Sequence, residues 1–173
     1  MTEIRPLTVD DAEGCDAVVA SLPYHFGDPD GQRMCNAAVR EQDGFVAMDG
    51  GSVVGFVTLA RHYDRTAEIT WMAVRADRRG GGIGSALLRP LEDLLLREGR
   101  TLLLVFTVSP ADPDEIPDGY NATRAFYAAN GFVAARDLPD LWPGDTAMLF
   151  VKPLAPRKPT GWRPPVVDLC GRA

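Results

Sequence analysis

No lysine occurs between Met1 and Lys152 in this chain of 173 residues. A phosphate loop ending in Gly-Lys-Ser/Thr is therefore excluded. Cysteine is scarce as well. Cys15, Cys35 and Cys170 show no CxxC spacing and leave an odd one out, so the expectation is reduced, non-catalytic thiols in a reducing cytoplasm. The two histidines, His25 and His62, are too isolated to suggest a metal site. Asp112-Pro113-Asp114-Glu115 is acidic, but Pro117 takes the place of the turn glycine that a calcium loop needs, so no metal is expected. The chain lacks a signal-peptide pattern and any apolar run of bilayer length, and no membrane partner is expected. A net charge of −6 argues against nucleic acid or anionic lipid as the main partner and mildly favours a cationic substrate. Neither a G-x-S-x-G elbow nor a cysteine–histidine pattern argues for an acyl-enzyme route.

What is present is a composition ordinary for one globular domain, with a single unusual stretch from Val74 to Leu88. An apolar strand, Ile69 to Val74, leads through Arg78 and Arg79 and a glycine cluster into an amphipathic helix. A helix start of this kind offers unpaired N–H groups and the positive end of the helix dipole. Glycines let a ligand oxygen come close, and the arginines add fixed positive charge, which together describe a phosphate cradle. The dinucleotide fingerprint G-x-G-x-x-G/A fails, because the sixth position is Ser85 counted from Gly80 and Leu87 counted from Gly82. The pattern that fits is Arg/Gln-x-x-Gly-x-Gly/Ala, as Arg79-Gly80-Gly81-Gly82-Ile83-Gly84. Preceded by Trp71-Met72-Ala73-Val74 and followed by Ser85-Ala86-Leu87-Leu88, it resembles the acyl-CoA pyrophosphate loop of the GNAT superfamily of N-acetyltransferases.

The order of elements is consistent with that resemblance. Ile4-Arg5-Pro6 reads as a first strand, and Thr8 as the cap of a helix over Asp10 to Ala20 with Asp11 in the capping-box position. An aromatic loop, Pro23-Tyr24-His25-Phe26-Gly27, precedes a second helix over Gln32 to Glu41. Phe45 to Met48 and Ser52 to His62 form a hairpin around Asp49-Gly50-Gly51, and Thr66 to Val74 is the next strand. After the glycine loop, Ile83, Leu87, Leu91, Leu94 and Leu95 share one helical stripe. Pro90 inside that helix predicts a kink near Ala86 to Pro90. The apolar run Thr101 to Val108 suits a strand covered on both faces, and strand–helix–strand makes a parallel βαβ unit. A helix over Tyr120 to Asn130 stops at Gly131, and the strands Phe132 to Ala135 and Ala147 to Val151 come next. Proline then recurs from Pro153 to Pro165, so a tail is expected, with Trp162 and Val166-Val167 left to dock on the domain or on a second subunit of a homodimer.

A second constellation lies in Tyr120-Asn121-Ala122-Thr123-Arg124-Ala125-Phe126-Tyr127-Ala128-Ala129-Asn130-Gly131-Phe132. Helical spacing puts Ala122, Ala125, Phe126 and Ala129 on one face, read as the core face, so Tyr127 is expected to point away from it. Taken alone, Tyr127 is equally a surface tyrosine. The stretch as a whole looks like the second GNAT signature, with Tyr120 where many members have asparagine and Asn121 one position along.

The resemblance covers about Thr2 to Leu154 and implies a single acetyltransferase domain, residues 1–154, followed by a proline-rich tail, 155–173. The implied fold is α/β (α+β), a mixed, mostly antiparallel central sheet of six to seven strands with a parallel βαβ unit at the cofactor site and helices on both faces. The implied co-substrate is acetyl-CoA, its pyrophosphate on Arg79, Gly80, Gly81, Gly82, Ile83, Gly84 and Ser85. Its pantetheine arm is implied on the backbone of Met72, Ala73 and Val74, with Asn121 and Arg124 as further contacts. Tyr127 takes the place of the general acid that protonates the departing thiolate. Glu68 looks like the strand glutamate that serves some members as general base; its other reading is a solvent-facing strand residue. Strand alternation puts Glu68 and Trp71 on opposite faces unless a bulge intervenes. Tyr24, His25, Phe26, Tyr63, Asp64 and Trp71 are candidate walls for the acceptor, expected to be a small cationic amine. The rival expectation is a non-catalytic acyl-CoA-binding regulatory module.

Overall fold

The computed structural model describes residues 1–111 and 119–155. The acidic loop 112–118 and the tail from residue 156 onward, with Trp162, Val166, Val167 and Cys170, lie outside the described residues. The strands are β1 (Glu3–Pro6), β2 (Asp43–Asp49), β3 (Ser52–Arg61), β4 (Thr66–Val74), β5 (Leu102–Val108), β6 (Val133–Leu138) and β7 (Ala147–Pro153). The helices are α1 (Ala12–Ala20), α2 (Pro29–Glu41), α3 (Ile83–Arg97) and α4 (Asn121–Ala129). All seven strands join one sheet in the order β1-β2-β3-β4-β5-β7-β6. Every pairing is antiparallel except β4 with β5, where α3 makes the crossover that a parallel pair requires. Among the described residues no helix is long and apolar enough to cross a membrane.

Local chemistry accounts for the element ends. Gly50 and Gly51, both at positive φ, close the two-residue hairpin between β2 and β3. Asp28 caps α2, accepting from the N–H groups of Asp30 (3.2 Å) and Gly31 (2.8 Å), and Pro29 fills the first helical position. That Asp-Pro pair starts the helix three residues earlier than the sequence pattern suggests. Gly131 (φ 83°) ends α4, and the N–H of Phe132 reaches back to the Tyr127 carbonyl at 3.1 Å. α3 runs unbroken from Ile83 to Arg97 with Pro90 inside it.

The sheet is packed on both faces. On one, Ile83, Leu87, Leu88, Leu91 and Leu95 of α3 and Tyr127 of α4 meet Leu59, Ile69, Leu103, Val105 and Phe150. On the other, Cys15, Val18 and Val19 of α1 and Cys35 and Val39 of α2 meet Val46, Phe56 and Ala73. Each fully buried leucine contributes about 1.5–3 kcal/mol relative to exposure, so the α3 stripe alone holds the crossover on the sheet. Burial pushes the Cys15 and Cys35 thiols up to about 12, leaving them protonated and inert.

Coverage of β5 differs from expectation. Leu103, Val105 and Thr107 are buried, whereas Leu102, Leu104, Phe106 and Val108 are half-buried. The reason is that α1 and α2 lie over β3 and β4 and leave this part of the second face open.

The first helix also starts differently. Thr8 caps a short 3₁₀ turn, Val9–Asp11, and α1 begins only at Ala12. Asp11 is buried (6% exposed) and accepts from Arg5 at 2.6 and 2.7 Å and from the Thr8 N–H and hydroxyl at 2.9 Å each. The Arg5 guanidinium, with these Thr8 bonds, holds its carboxyl down at about 2 despite burial. A carboxyl depressed in the folded state contributes stability above its unfolded value near 4 and loses it as pH falls through about 2. Asp11→Asn is expected to lower unfolding free energy by about 2 kcal/mol at neutral pH, with the gap to wild type closing between about pH 4 and pH 2. Denaturant titrations at several pH values check this; a gap unchanged at low pH would show that the loss is not electrostatic.

Candidate active site

β4 and β5 begin as paired neighbours and then part. Their ladder runs from Thr66 opposite Leu102 to Ile69 opposite Val105 and stops there. β4 nevertheless continues to Val74 and β5 to Val108, each still bonded on its outer edge, to β3 and β7 respectively. A wedge therefore opens between the carboxyl ends of two parallel strands, the position where α/β sheets bind ligands. Met72, Ala73 and Val74 form one lip of it.

A bulge sets the geometry of that lip. Leu59 pairs with Ile69 and Thr58 with Trp71, so Thr70 is an extra residue in β4. The Thr58 and Thr70 hydroxyls are 2.8 Å apart, and Thr70 donates to Gln42 Oε1 at 2.5 Å. Ala67 and Ile69 pack in the α3 core before the bulge, and Trp71 and Ala73 pack on the α1–α2 side after it. Glu68 and Trp71 thus share a face, and the bulge removes the conflict that simple alternation creates.

At the mouth of the wedge lies the loop Arg75 to Gly82. Gly80 (φ 79°) and Gly82 (φ 78°) are left-handed, and a Cβ at either would meet nothing within 4 Å. Gly82 is the N-cap of α3 and supplies no capping side chain, and the first N–H bonded back across the turn is that of Ala86, to the Gly82 carbonyl at 2.9 Å. The N–H groups ahead of it, at Ile83, Gly84 and Ser85, are the orphan donors of a helix start. The loop is exposed, so the cradle is open.

Of the two arginines expected to charge the cradle, only one fits. Arg78 turns away to an ion pair with Asp49 on the β2–β3 hairpin, and Arg75 is taken by Asp77 at 2.6 and 2.7 Å. Arg79 is exposed and donates from Nε to the Val74 carbonyl at 3.1 Å, which stations its guanidinium where the loop meets the lip.

Tyr127 corrects the reading of α4. It is buried (6% exposed), with Phe126 and Phe132 edge-on to its ring and Phe150 tilted against it, while Ala122, Ala125 and Ala129 are exposed. Phe126 packs instead towards α3: a Cβ on Gly84 would lie 2.7 Å from its ring. Glycine at that position is thus required by packing. Among the described residues nothing hydrogen-bonds the Tyr127 hydroxyl, and burial raises its pKa well above the usual tyrosine value, so the phenol stays protonated. Arg124 ties α4 to the end of β5, donating to the Val108 carbonyl at 2.8 Å and to Asn121 Oδ1 at 2.5 Å.

The acceptor candidates divide. Phe26 packs on Trp71 (ring centroids 6.0 Å), and Tyr24 and His25 form an aromatic cluster with Tyr120 at the start of α4. Burial and the nearby Arg79 lower the His25 pKa, which favours its neutral form. Gly119 permits this closure, since a Cβ there would overlap the Tyr24 hydroxyl. Asp64 and Tyr63 are not part of this group. They occupy the turn before β4, at the opposite end of the strand, about 20 Å from Trp71 at strand rise. Glu68 lies between the two ends and is hydrogen-bonded to His62 Nε2 at 2.6 Å. Sequence reading passed over His62, though the tight turn between β3 and β4 carries the signal: it folds position 62 back beside position 68.

A profile described as an acetyltransferase (GNAT) domain matches residues 40–134, more than half of the chain. The chain belongs to the GNAT acetyltransferase family. Solved structures share its fold. A protein from Desulfovibrio desulfuricans assigned to the same family superposes with TM-score 0.76 at 22% identity, covering 90% of this chain and 100% of that one. The ribosomal-protein-S18-alanine N-acetyltransferase of Escherichia coli gives 0.71 at 20% identity, over 94% and 100%. An aminoglycoside 6'-N-acetyltransferase solved with coenzyme A gives 0.67 at 16% identity, over 91% and 99%. No curated protein matches the sequence significantly.

The cradle generates a test. Gly81 is not left-handed, and a Cβ on it would meet only the Arg78 carbonyl, at 3.8 Å. Gly81→Val therefore adds bulk beside the orphan N–H groups without straining the loop, unlike Gly82→Val. Calorimetry with coenzyme A is expected to show affinity reduced more than tenfold, about 1.4 kcal/mol, at an unchanged melting temperature. Unchanged affinity would place the anion elsewhere.

Proposed function

We propose that this acetyltransferase moves the acetyl group of acetyl-CoA to a primary amine, and that the acceptor is a small cationic amine. The observation that carries the reading is the wedge between β4 and β5 opening on the uncapped N-terminus of α3. The pyrophosphate would lie on the N–H groups from Gly80 to Ser85 with Arg79 beside it, and the pantetheine arm would lie along Met72 to Val74 like an added strand. The N–H groups of that lip would stabilise negative charge on the thioester oxygen as the amine attacks.

Each proton then has a place to go. An alkylammonium, with pKa near ~10.4, must lose a proton before it can attack, and Glu68 on the α1–α2 face takes it. Tyr127, on the α4 side, gives a proton to the sulfur as the C–S bond breaks, and the second proton of the attacking nitrogen restores the phenol. Burial keeps that phenol protonated at working pH, and the same dry surroundings raise the basicity of the departing thiolate, so the transfer is matched. Phe26, Trp71, Tyr24 and His25 supply an aromatic wall, a surface suited to a cation. Asp64, at the other end of β4, has no part in it.

A thiol-release assay with acetyl-CoA against a panel of amines tests this. Turnover is expected with cationic primary amines; a preference for neutral or anionic acceptors would overturn the substrate class, and release with none would overturn the amine reading. Tyr127→Phe is expected to lower turnover ~10²–10⁴-fold while leaving acetyl-CoA affinity nearly intact, since only a group acting in the transition state is removed. Turnover within a factor of two would make Tyr127 a packing residue.

A further inference from the structure

We propose that His62 is the positioning partner and proton exit of Glu68, an assignment that rests on the reading of Glu68 as the base. His62 follows the last residue of β3, and its N–H donates to the Thr66 carbonyl at 3.0 Å, which fixes the register of the turn. Ala60 pairs with Glu68 in the same hairpin, so positions 62 and 68 are diagonal neighbours on one face of the sheet. The ring meets the carboxylate through Nε2 at 2.6 Å. Nδ1 has no hydrogen-bond partner among the described residues, and the His62 side chain is 41% exposed against 22% for Glu68. The pair therefore runs from the sheet face out to water.

The turn that carries His62 is held in place. Arg100, from the segment after α3, donates from Nη1 to the carbonyls of Tyr63 (2.6 Å), Thr66 (2.9 Å) and His62 (3.3 Å). That guanidinium lies against the carbonyl side of the turn. Arg61, next in the chain, is committed to Asp43 and Glu98 on the α3 side. From α2, Arg40 is taken by Asp16 of α1, Glu41 ends the helix, and Gln42 reaches Thr70 rather than Glu68. β5 presents only Leu102 and Leu104 opposite Thr66 and Glu68. Tyr63, Asp64 and Arg65 complete the turn.

In one turnover the Glu68 carboxylate takes a proton from the ammonium nitrogen and freed amine attacks the thioester. The protonated carboxyl passes that proton to Nε2 of neutral His62, regenerating the carboxylate beside an imidazolium. The imidazolium loses its Nδ1 proton to water, and tautomerisation through water moves the remaining proton from Nε2 to Nδ1, which resets the ring. An imidazole has two ring nitrogens, so it can accept a proton at one and release a proton from the other. His62 touches neither substrate nor co-substrate in this scheme and acts through Glu68.

The test compares wild type, His62→Gln, Glu68→Gln and the double variant over about pH 6 to 10, with the best amine of the panel. Glutamine keeps a donor towards Glu68 but cannot carry a proton, so a role in orientation alone survives the change. The expected result is turnover down about tenfold at neutral pH in His62→Gln, partial recovery at high pH, and unchanged acetyl-CoA affinity and melting temperature. Added imidazole should restore part of the activity of His62→Ala, and His62→Gln should cost nothing further in the Glu68→Gln background. A wild-type profile in His62→Gln, alongside a defective Glu68→Gln, would overturn the exit and leave the base in place. A wild-type profile in Glu68→Gln would overturn the base, and His62 with it.

Discussion

The parting of β4 from β5 is the constraint on which the rest of this molecule depends. A parallel pair that stopped at its last common bond would be an ordinary sheet end. Here both strands run on, because β3 and β7 satisfy their outer edges. The inner edges are left with main-chain donors and acceptors facing a gap, and a buried group of that kind costs about 1–3 kcal/mol unless water or a ligand satisfies it. The bulge at Thr70 orients the residues beyond it, sending Trp71 to Phe26 and Met72 to the α3 side. It is itself held by the Thr58–Thr70–Gln42 chain, so a hydrogen-bond relay from the end of α2 fixes the shape of the lip.

Electrostatic neighbours then divide the labour of the arginines. The loop is rich in positive charge on paper, yet Asp77 and Asp49 take Arg75 and Arg78. The Arg78–Asp49 pair ties the loop to the β2–β3 hairpin and so orders it before any ligand arrives, and ordering done beforehand is not subtracted from affinity. Arg79 is left at the mouth. On the α1–α2 face Trp71 packs with Phe26, and Glu68 of the same strand is bonded to His62.

Much of this was readable in the residues. The glycine loop, the α3 stripe and the hairpin at Asp49-Gly50-Gly51 are local, and local signals are strong where glycine or period decides conformation. The parallel βαβ unit follows from connectivity, and the mixed, mostly antiparallel sheet agrees with expectation. What the residues could not show was relational. The core face of α4 is only half legible: Phe126 packs against the core as expected, but Tyr127 is buried beside it and Ala122, Ala125 and Ala129 face out, because only the missing Cβ of Gly84 lets the Phe126 ring lean onto α3 and leaves the interior to Tyr127. The partial cover of β5 depends on where α1 and α2 come to rest, which no property of β5 encodes. Arg78 looked like a cradle charge until the hairpin brought Asp49 to it across 29 positions. Asp64 looked close to Trp71 in sequence, and an extended strand kept them apart.

Gly84 and Phe126 carry a further consequence, for how such sequences diverge. With no Cβ between them, the first turn of α3 rests directly on the ring, and position 84 has no room to enlarge while position 126 stays aromatic. A bulkier residue at position 84 fits only if that ring gives way. Tyr127, next in the chain, inherits that restriction, since any retreat of the ring moves the turn that holds the phenol. The glycine motif and the tyrosine motif, read separately as two signatures, are in this molecule packed directly against each other.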